Sequence, residues 1–300
     1  MSMSVMEECM IVKDASEILK FISKDHFYNF LLLAKSLKCS IDVDRLYNEY
    51  INNNKCLDAL QERWEKSLED ENGPDFSVYG EDEYLNESFR CWKNYARRYV
   101  QNVRKYCDRE DSFINKDEVK CVVDLGCGNA FSTIALADIF KNAVVYGTNV
   151  KDTISYDMCE IITSKIDRCK IIDETHNDSL PNTPDVVFAS EFFEHITNPI
   201  DLLDKIVNKY KPKYFIFANT FTQMSIGHFN EYYDMSGNKH CGKSISKEFN
   251  NYLRRNGYVK VDTGFFNSRP QIFMLKDNDK NLITNSSTQY VEQEVKNSLW

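Results

Sequence analysis

The sequence has no long apolar run, no CxxC pair among its cysteines and only five histidines, and each shortage removes a class of protein. Apolar residues come in short bursts such as Phe30 to Ala34, far below the roughly 18 consecutive residues that a membrane-spanning helix requires. No transmembrane segment is expected. Met1 to Glu8 places acids where a secretory leader carries Lys or Arg before an apolar stretch, so a cytoplasmic location is expected. The ten cysteines (9, 39, 56, 91, 107, 121, 127, 159, 169 and 241) are scattered, several of them inside apolar strand-like runs. They read as reduced, mostly buried thiols, and the ligand spacing of a structural zinc site is missing. No resident metal is expected. What is present is 42% hydrophobic and 13% aromatic residues in a 300-residue chain, enough for a real core in one or two domains and incompatible with disorder.

Charge is acidic overall, with 37 Lys and Arg against 46 Asp and Glu and a formal net charge of -9, which does not suit a general nucleic-acid binder. It is also unevenly placed. Residues 65–87 hold nine acids and one Lys, whereas residues 90–109 hold seven bases (Arg90, Lys93, Arg97, Arg98, Arg104, Lys105 and Arg109) and one acid. The basic stretch reads as a solvated helical face paired with an acidic neighbour.

From residue 15 to about 70 the spacing predicts helices: Ile18, Ile22, Phe27, Phe30, Leu31 and Ala34 recur at helical steps, with Ser40 as a candidate N-cap before Val43. Glu71 to Asp75 is a turn signal, followed by a second apolar stripe of Phe89, Trp92, Tyr95, Ala96, Tyr99 and Val103. From Lys120 short β-branched runs alternate with helical segments, which predicts βαβ units and a parallel sheet, an α/β fold. Seven strands are expected at 121–125, 143–149, 169–172, 185–189, 214–218, 259–263 and 271–275. Helices are expected near 132–140, 154–166, 199–210 and 246–255. Such a pattern fits a doubly wound sheet closed by an antiparallel pair at one edge, with ligands beyond the carboxyl ends of its strands. The expected organisation is a helical N-terminal region over 1–115, the α/β domain over 116–278 and a polar tail over 279–300.

Chemistry concentrates at Val122 to Ala130, where a buried strand ends in an acid, two glycines one residue apart follow, and a helix begins. Glycines let the backbone turn tightly and approach a ligand, and the helix beyond offers free N–H groups. A dinucleotide fingerprint would need a third glycine where Phe131 stands.

The run Asp124, Leu125, Gly126, Cys127, Gly128 resembles the first motif of the class I S-adenosylmethionine-dependent methyltransferases. Asp185 to Ile196, containing Ser190-Glu191-Phe192-Phe193-Glu194-His195, is similar to that family's fourth-strand motif, and Lys211 to Phe217 to its fifth strand. The resemblance implies a Rossmann-like seven-stranded fold over about 119–275 and S-adenosyl-L-methionine as cofactor. It implies that Asp124 orients the cofactor's amino acid end, that Gly126, Cys127 and Gly128 pack on its ribose and methionine portions, and that Ser190 and Glu191 lie beside the sulfonium. At the position where the family usually holds the ribose hydroxyls with an acid, this chain has Asn149, an amide that accepts only through its oxygen. Asp173 and Asp178 both stand near the end of the third strand, where the adenine would be bracketed.

Methyl transfer needs alignment, which supplies on the order of 7 kcal/mol or more, and for a hydroxyl or protonated amine a base, which adds roughly two to four orders of magnitude. Glu194 and His195 would hang over the acceptor. His228, in the aromatic loop from Asn219 to Tyr233, is a second candidate base, and His240 with Ser244 and Ser246 reads as a structural element. The leading expectation is transfer to a small-molecule acceptor, with the N-terminal helices as a lid. No Asn-Pro-Pro-Tyr-like tetrapeptide or Pro-Cys pair marks a DNA methylase. Two alternatives stand beside it. One is a metal-dependent RNA 3′-terminal 2′-O-methyltransferase, because Glu191, Glu194, His195 and a later histidine, 228 or 240, resemble that family's ligand set. The other is a catalytically silent, cofactor-binding partner subunit, motivated by Asn149, against which the intact Asp124, Gly126 and Gly128 argue.

Overall fold

The structure is a computed structural model that describes residues 12, 14–52, 55–71, 73–173, 183–265, 267 and 269–276. The 279–300 tail, Cys9, Asp178 and the side chain of Cys56 lie outside the described residues. Its centre is a seven-stranded sheet in the order β3-β2-β1-β4-β5-β9-β8, formed by β1 (Cys121–Leu125), β2 (Val144–Asn149), β3 (Cys169–Asp173), β4 (Val186–Ser190), β5 (Tyr214–Ala218), β8 (Tyr258–Val261) and β9 (Gln271–Leu275). The first five run parallel, and β9 pairs antiparallel with both β5 and β8. Strand order reverses between β1 and β4, so the carboxyl ends of these two strands are where such a sheet opens a crevice.

The β-branched and aromatic runs form central strands because both faces are covered. Alternate residues feed two cores: Val122, Val186 and Ile216 join one cluster, while Val123, Val187, Phe215 and Phe217 join the other, the period-two pattern of a strand. On the first face lie α6 (Phe131–Ile139) and α7 (Ile154–Thr163), and on the second α8 (Pro199–Tyr210) and α9 (Gly242–Arg255). The limits of α8 follow its punctuation. Asn198 accepts from the Asp201 N–H, Pro199 opens the helix, and Lys211 ends it with a positive φ of 44°.

The N-terminal helices do not stand apart. α1 (Lys24–Leu37) and α2 (Val43–Ile51) share the first core with α6, and α3 (Lys55–Ser67) joins the second core through Leu57, Leu60 and Trp64. They are followed by α4 (Tyr84–Cys91), a π-helical segment at Trp92–Ala96 and α5 (Arg97–Cys107). No described helix is long and apolar enough to cross a membrane.

Several local expectations are corrected. The cap of α2 is Asp42, whose carboxylate accepts from the Arg45 N–H, and not Ser40. α7 stops at Thr163, α9 begins at Gly242 and β8 spans Tyr258–Val261. The aromatic loop carries a short strand, β6 (Glu231–Tyr233), paired with β7 (Lys239–Cys241). The basic run does meet acidic neighbours, though among the described residues none of its ion pairs is with residues 65–87. Arg104 pairs with Asp138 and Arg109 with Asp111, while Asp82 and Glu83 meet Lys38 and Arg45. The eight described cysteine side chains are free; five are buried, Cys91 is partly buried, and Cys39 and Cys241 are exposed.

Phe89 joins the N-terminal helices to the sheet layer. It is fully buried, with its ring 5.0 Å from Phe27, 5.7 Å from Phe30 and 6.2 Å from Phe131. Phe89→Ala is expected to cost about 3–5 kcal/mol, read as a lowered denaturation midpoint in urea.

Candidate active site

The loop after β1 is fixed from three sides. The Gly126 N–H donates to Thr148 Oγ1 and the Cys127 N–H to the Thr148 carbonyl, both at 2.9 Å. The Gly128 carbonyl receives Asn149 Nδ2 at 2.9 Å, Ser155 Oγ at 3.0 Å and Cys159 Sγ at 2.9 Å. Beneath the loop, Asp124 is 1% exposed and its Oδ2 accepts from the hydroxyls of Ser132 and Thr133, each at 2.7 Å. Burial pushes its carboxyl up to about 6 against the pull of those two hydroxyls.

Two glycines here have distinct reasons. At Gly126 (φ +59°) an added Cβ would lie 2.3 Å from Cδ2 of Phe192, so the next motif's ring occupies that side. At Gly128 (φ +56°) a Cβ would meet nothing within 4 Å, and the positive φ still excludes most side chains. The first glycine makes room for the protein; the second leaves room beside it.

The carboxyl end of β4 turns sharply. Glu191 adopts φ +51°, held by its N–H on the Ala218 carbonyl at 2.9 Å, a strained conformation of the kind found at functional sites. Glu194 is fully buried. Its Oε1 accepts from the Thr220 N–H at 2.6 Å, while Oε2 has no hydrogen-bond partner. Burial, and then the charge of Glu191, raise its pKa well above the usual carboxylate range. His228 is 5% exposed, and its Nδ1 meets the Gln223 carbonyl at 2.7 Å. Because a carbonyl only accepts, Nδ1 carries the hydrogen and Nε2 keeps its lone pair. Ligand atoms of Glu191, Glu194 and His228 all lie within 4.8 Å of one another. Burial lowers the pKa of His228, and burial followed by His228 lowers that of His195 to about 3.

The N-terminal helices roof this edge. The Tyr99 hydroxyl donates to Glu191 at 3.2 Å, the Tyr79 hydroxyl meets His195 Nδ1 at 2.9 Å, Trp64 Nε1 donates to the His228 carbonyl at 2.7 Å, and Asn129 Nδ2 donates to Ser88 Oγ at 2.5 Å. None of the four roof residues carries a local sequence signal. Tyr99 sits in an apolar stripe and the others in ordinary helical or turn sequence, and only the three-dimensional fold brings them here.

The residues singled out from sequence fall into three groups. Glu191, Glu194, His195 and His228 come together, with the two imidazoles 4.8 Å apart and edge-on. Gly126, Cys127, Gly128 and Asn149 form the neighbouring loop, but Asn149 spends its amide there, with Nδ2 on Gly128 and Ser155 and Oδ1 accepting from the Val150 N–H at 2.8 Å. His240 is elsewhere. It bridges Ser244 Oγ at 2.8 Å and Asp234 Oδ2 at 3.0 Å, tying the β6–β7 ribbon to the start of α9. Ser190 Oγ, Asn129 Oδ1, Glu194 Oε2 and both side-chain amide atoms of Asn219 are buried without a partner. All five stand at the carboxyl ends of β1, β4 and β5.

The pKa of Asp124 makes a pH prediction. Its folded value, about 6, exceeds the unfolded value near 3.9, so its contribution to stability is present below about 4 and lost as the pH rises through 6. Asp124→Asn removes that loss. The stability of Asp124→Asn relative to wild type should rise by about 2–3 kcal/mol between pH 4 and pH 8, measured by urea unfolding at each pH.

Comparison with known proteins bears on this site. No curated protein matches the chain. Among solved structures it is similar to an O-methyltransferase family protein from Burkholderia thailandensis, at 10% identity and a TM-score of 0.49 over 79% of this chain and 72% of that one. It is also similar to a SAM-dependent methyltransferase from Aquifex aeolicus, at 13% identity and a TM-score of 0.38 over 58% and 86%. A third is the O-methyltransferase of a trans-AT PKS multienzyme of Brevibacillus brevis in complex with S-adenosyl-L-homocysteine, at 17% identity and a TM-score of 0.40 over 60% and 57%. None of these likenesses bears on the acceptor. The family model described as a methyltransferase domain matches residues 92–263, more than half of the chain, from the π segment through the end of β8 and the residues just after it, and the chain belongs to the methyltransferase domain family.

Proposed function

We propose that the chain uses S-adenosyl-L-methionine to methylate a small-molecule acceptor bound between the carboxyl edge of the sheet and the helices of its first 115 residues. The observation that carries the reading is the set of buried, unpartnered polar atoms beneath a roof of Tyr79, Tyr99 and Trp64. A buried polar group without a partner costs about 1–3 kcal/mol, and a ligand that satisfies several of them at once recovers that cost.

The residues present fit the cofactor. The open side of Gly128, the orphaned Asn129 Oδ1 and the orphaned Ser190 Oγ offer space and polar partners along one edge. Bound there, the cofactor supplies an electrophilic methyl group. Asp124 holds the loop in shape from below, Asn149 fixes the Gly128 carbonyl from the side, and Gly126, Cys127 and Gly128 present backbone to the ligand. Glu191 and Ser190 end β4 where acceptor and methyl donor would meet. Of the candidate bases, His228 is the better proton acceptor, with a free Nε2. His195 is too weakly basic near neutral pH, and its contact with Tyr79 suits holding the roof in place. Glu194, fully buried and anchored by the Thr220 N–H, keeps an unpartnered Oε2 that can take a proton.

A second reading has its own support: Glu191, Glu194 and His228 form an oxygen–nitrogen set suited to Mg²⁺ or Mn²⁺. Among the described residues no Lys or Arg pairs with either carboxylate. A divalent cation there would supply Lewis acidity toward a hydroxyl, as a metal-dependent 2′-O-methyltransferase of RNA ends would need. The silent-subunit alternative gains nothing from Asn149, because the amide donates to Gly128 where a carboxylate could not.

Titration calorimetry with S-adenosylhomocysteine tests the first reading. Wild type is expected to bind and Gly128→Val to bind about tenfold more weakly or worse, with a stability cost of only about 1–2 kcal/mol from the positive φ. Failure of wild type to bind would sink the reading. Manganese titration tests the second: one ion per chain in wild type, lost in Glu194→Gln and in His228→Ala with S-adenosylhomocysteine binding kept. No manganese uptake by wild type leaves the first reading alone.

A further inference from the structure

Arg269 differs in its partners from the five arginines of this chain that form ion pairs among the described residues. Arg45, Arg63, Arg104, Arg109 and Arg255 each form an ion pair with a carboxylate. Arg269 is partly buried and is held by neutral groups, with Nη1 donating to Thr220 Oγ1 at 2.9 Å and Nη2 to the Asn219 carbonyl at 3.2 Å. Its backbone is fixed in turn by Asn102 Nδ2 on its carbonyl at 3.0 Å. Thr220 places it in the site, because the same residue donates its N–H to Glu194 Oε1. The guanidinium also lies beside the Tyr99 hydroxyl, which donates to Glu191.

The candidate site is therefore polarised. Two carboxylates and an imidazole stand on one side and a guanidinium without a carboxylate partner among the described residues on the other, with the Tyr99 hydroxyl and Thr220 between them. Asn219, whose backbone carbonyl accepts from the guanidinium, has both side-chain amide atoms buried with no partner. A guanidinium has five N–H donors in a planar fork; two serve the Thr220 and Asn219 bonds and a third faces the Tyr99 hydroxyl. The remainder, with Asn219 Nδ2, match a planar or tetrahedral oxyanion, which Arg binds bidentately.

We propose that Arg269, assisted by Asn219, recognises an oxyanion on the acceptor, a carboxylate or a phosphate monoester, and so orients the acceptor's reactive group toward Glu191 and His228. The inference rests on the methyltransferase reading above and names the class of acceptor for it. Arg269 is a specificity residue and takes no part in the proton transfer.

The test uses the full chain saturated with S-adenosylhomocysteine and titrated with methyl phosphate or acetate at constant ionic strength, binding being followed by ¹⁵N-labelled arginine side-chain and amide shifts. Saturable binding of one or both anions by wild type is expected, the tighter one naming phosphate or carboxylate as the acceptor's group. Arg269→Gln should weaken it about tenfold or more, and Arg269→Lys, which keeps the charge without the fork, should retain part of it. Both variants should bind S-adenosylhomocysteine as wild type does; should Arg269→Gln fail to fold, the weakening in Arg269→Lys carries the test. No saturation by either anion in wild type overturns the proposal, as does unchanged anion affinity in both variants. Anion binding without S-adenosylhomocysteine binding would keep the oxyanion site and sink the methyltransferase reading, whereas the reverse would sink only the oxyanion site.

Discussion

The geometry of the site depends on one short backbone segment being held from behind through two of its N–H groups and the Gly128 carbonyl. Residues 126–128 cannot form hydrogen bonds within a helix or strand, so their N–H and carbonyl groups need partners from elsewhere. Thr148, in β2, takes two N–H groups, and three side-chain donors converge on the Gly128 carbonyl. Asp124 anchors the first turn of α6 beneath. Held by β2 and α7 at these groups, the loop can leave the side of Gly128 empty without collapsing into it. The same satisfaction explains how Asp124 stays buried at the switch point of the sheet with a raised pKa, since two hydroxyls offset part of the cost of removing a carboxylate from water.

The β4 end works the opposite way. There the protein leaves demands unmet: a left-handed glutamate, a second glutamate with a free oxygen, and an asparagine with a free amide. These costs persist because the surrounding structure fixes each residue independently. The Glu191 N–H is held by β5, Glu194 by Thr220, and the His228 backbone by Trp64 from an N-terminal helix. A rigid, pre-satisfied loop beside a rigid, unsatisfied cluster is the arrangement expected where ligand groups complete what the chain leaves open.

Much of the fold was legible because its signals are local. The limits of β1, β5, β9 and α8 follow from apolar runs bounded by Gly, Pro or Asn. The β6–β7 ribbon was not, because three-residue strands are too short for periodicity to register. The start of α9 was missed because Gly242 is a poor helix former and Cys241 makes no side-chain cap. Ser40 and Asp42 are both competent caps two residues apart, and only backbone geometry chose between them. In the site, the two glycines and the Glu-x-x-Glu-His run were readable from their spacing. Tyr79, Tyr99, Trp64 and Arg269 were not, since their partners lie tens to more than a hundred residues away in sequence.

Asn149 shows why departure from a family pattern is weak evidence of lost function. A carboxylate there could not donate to the Gly128 carbonyl and would add charge repulsion beside it, whereas the amide donates to that carbonyl and accepts from Val150 at once. The residue is thus built into the loop that the neighbouring glycines shape. Whatever grip on a ribose it forgoes must come from elsewhere along the edge, and the unpartnered Asn129 Oδ1 and Ser190 Oγ lie on that edge. Substituting Asn149 therefore perturbs the loop before it perturbs any ligand, so a loss of binding on mutation there says little about direct contact. Gly128 is more informative, because nothing lies within 4 Å of where a Cβ would stand.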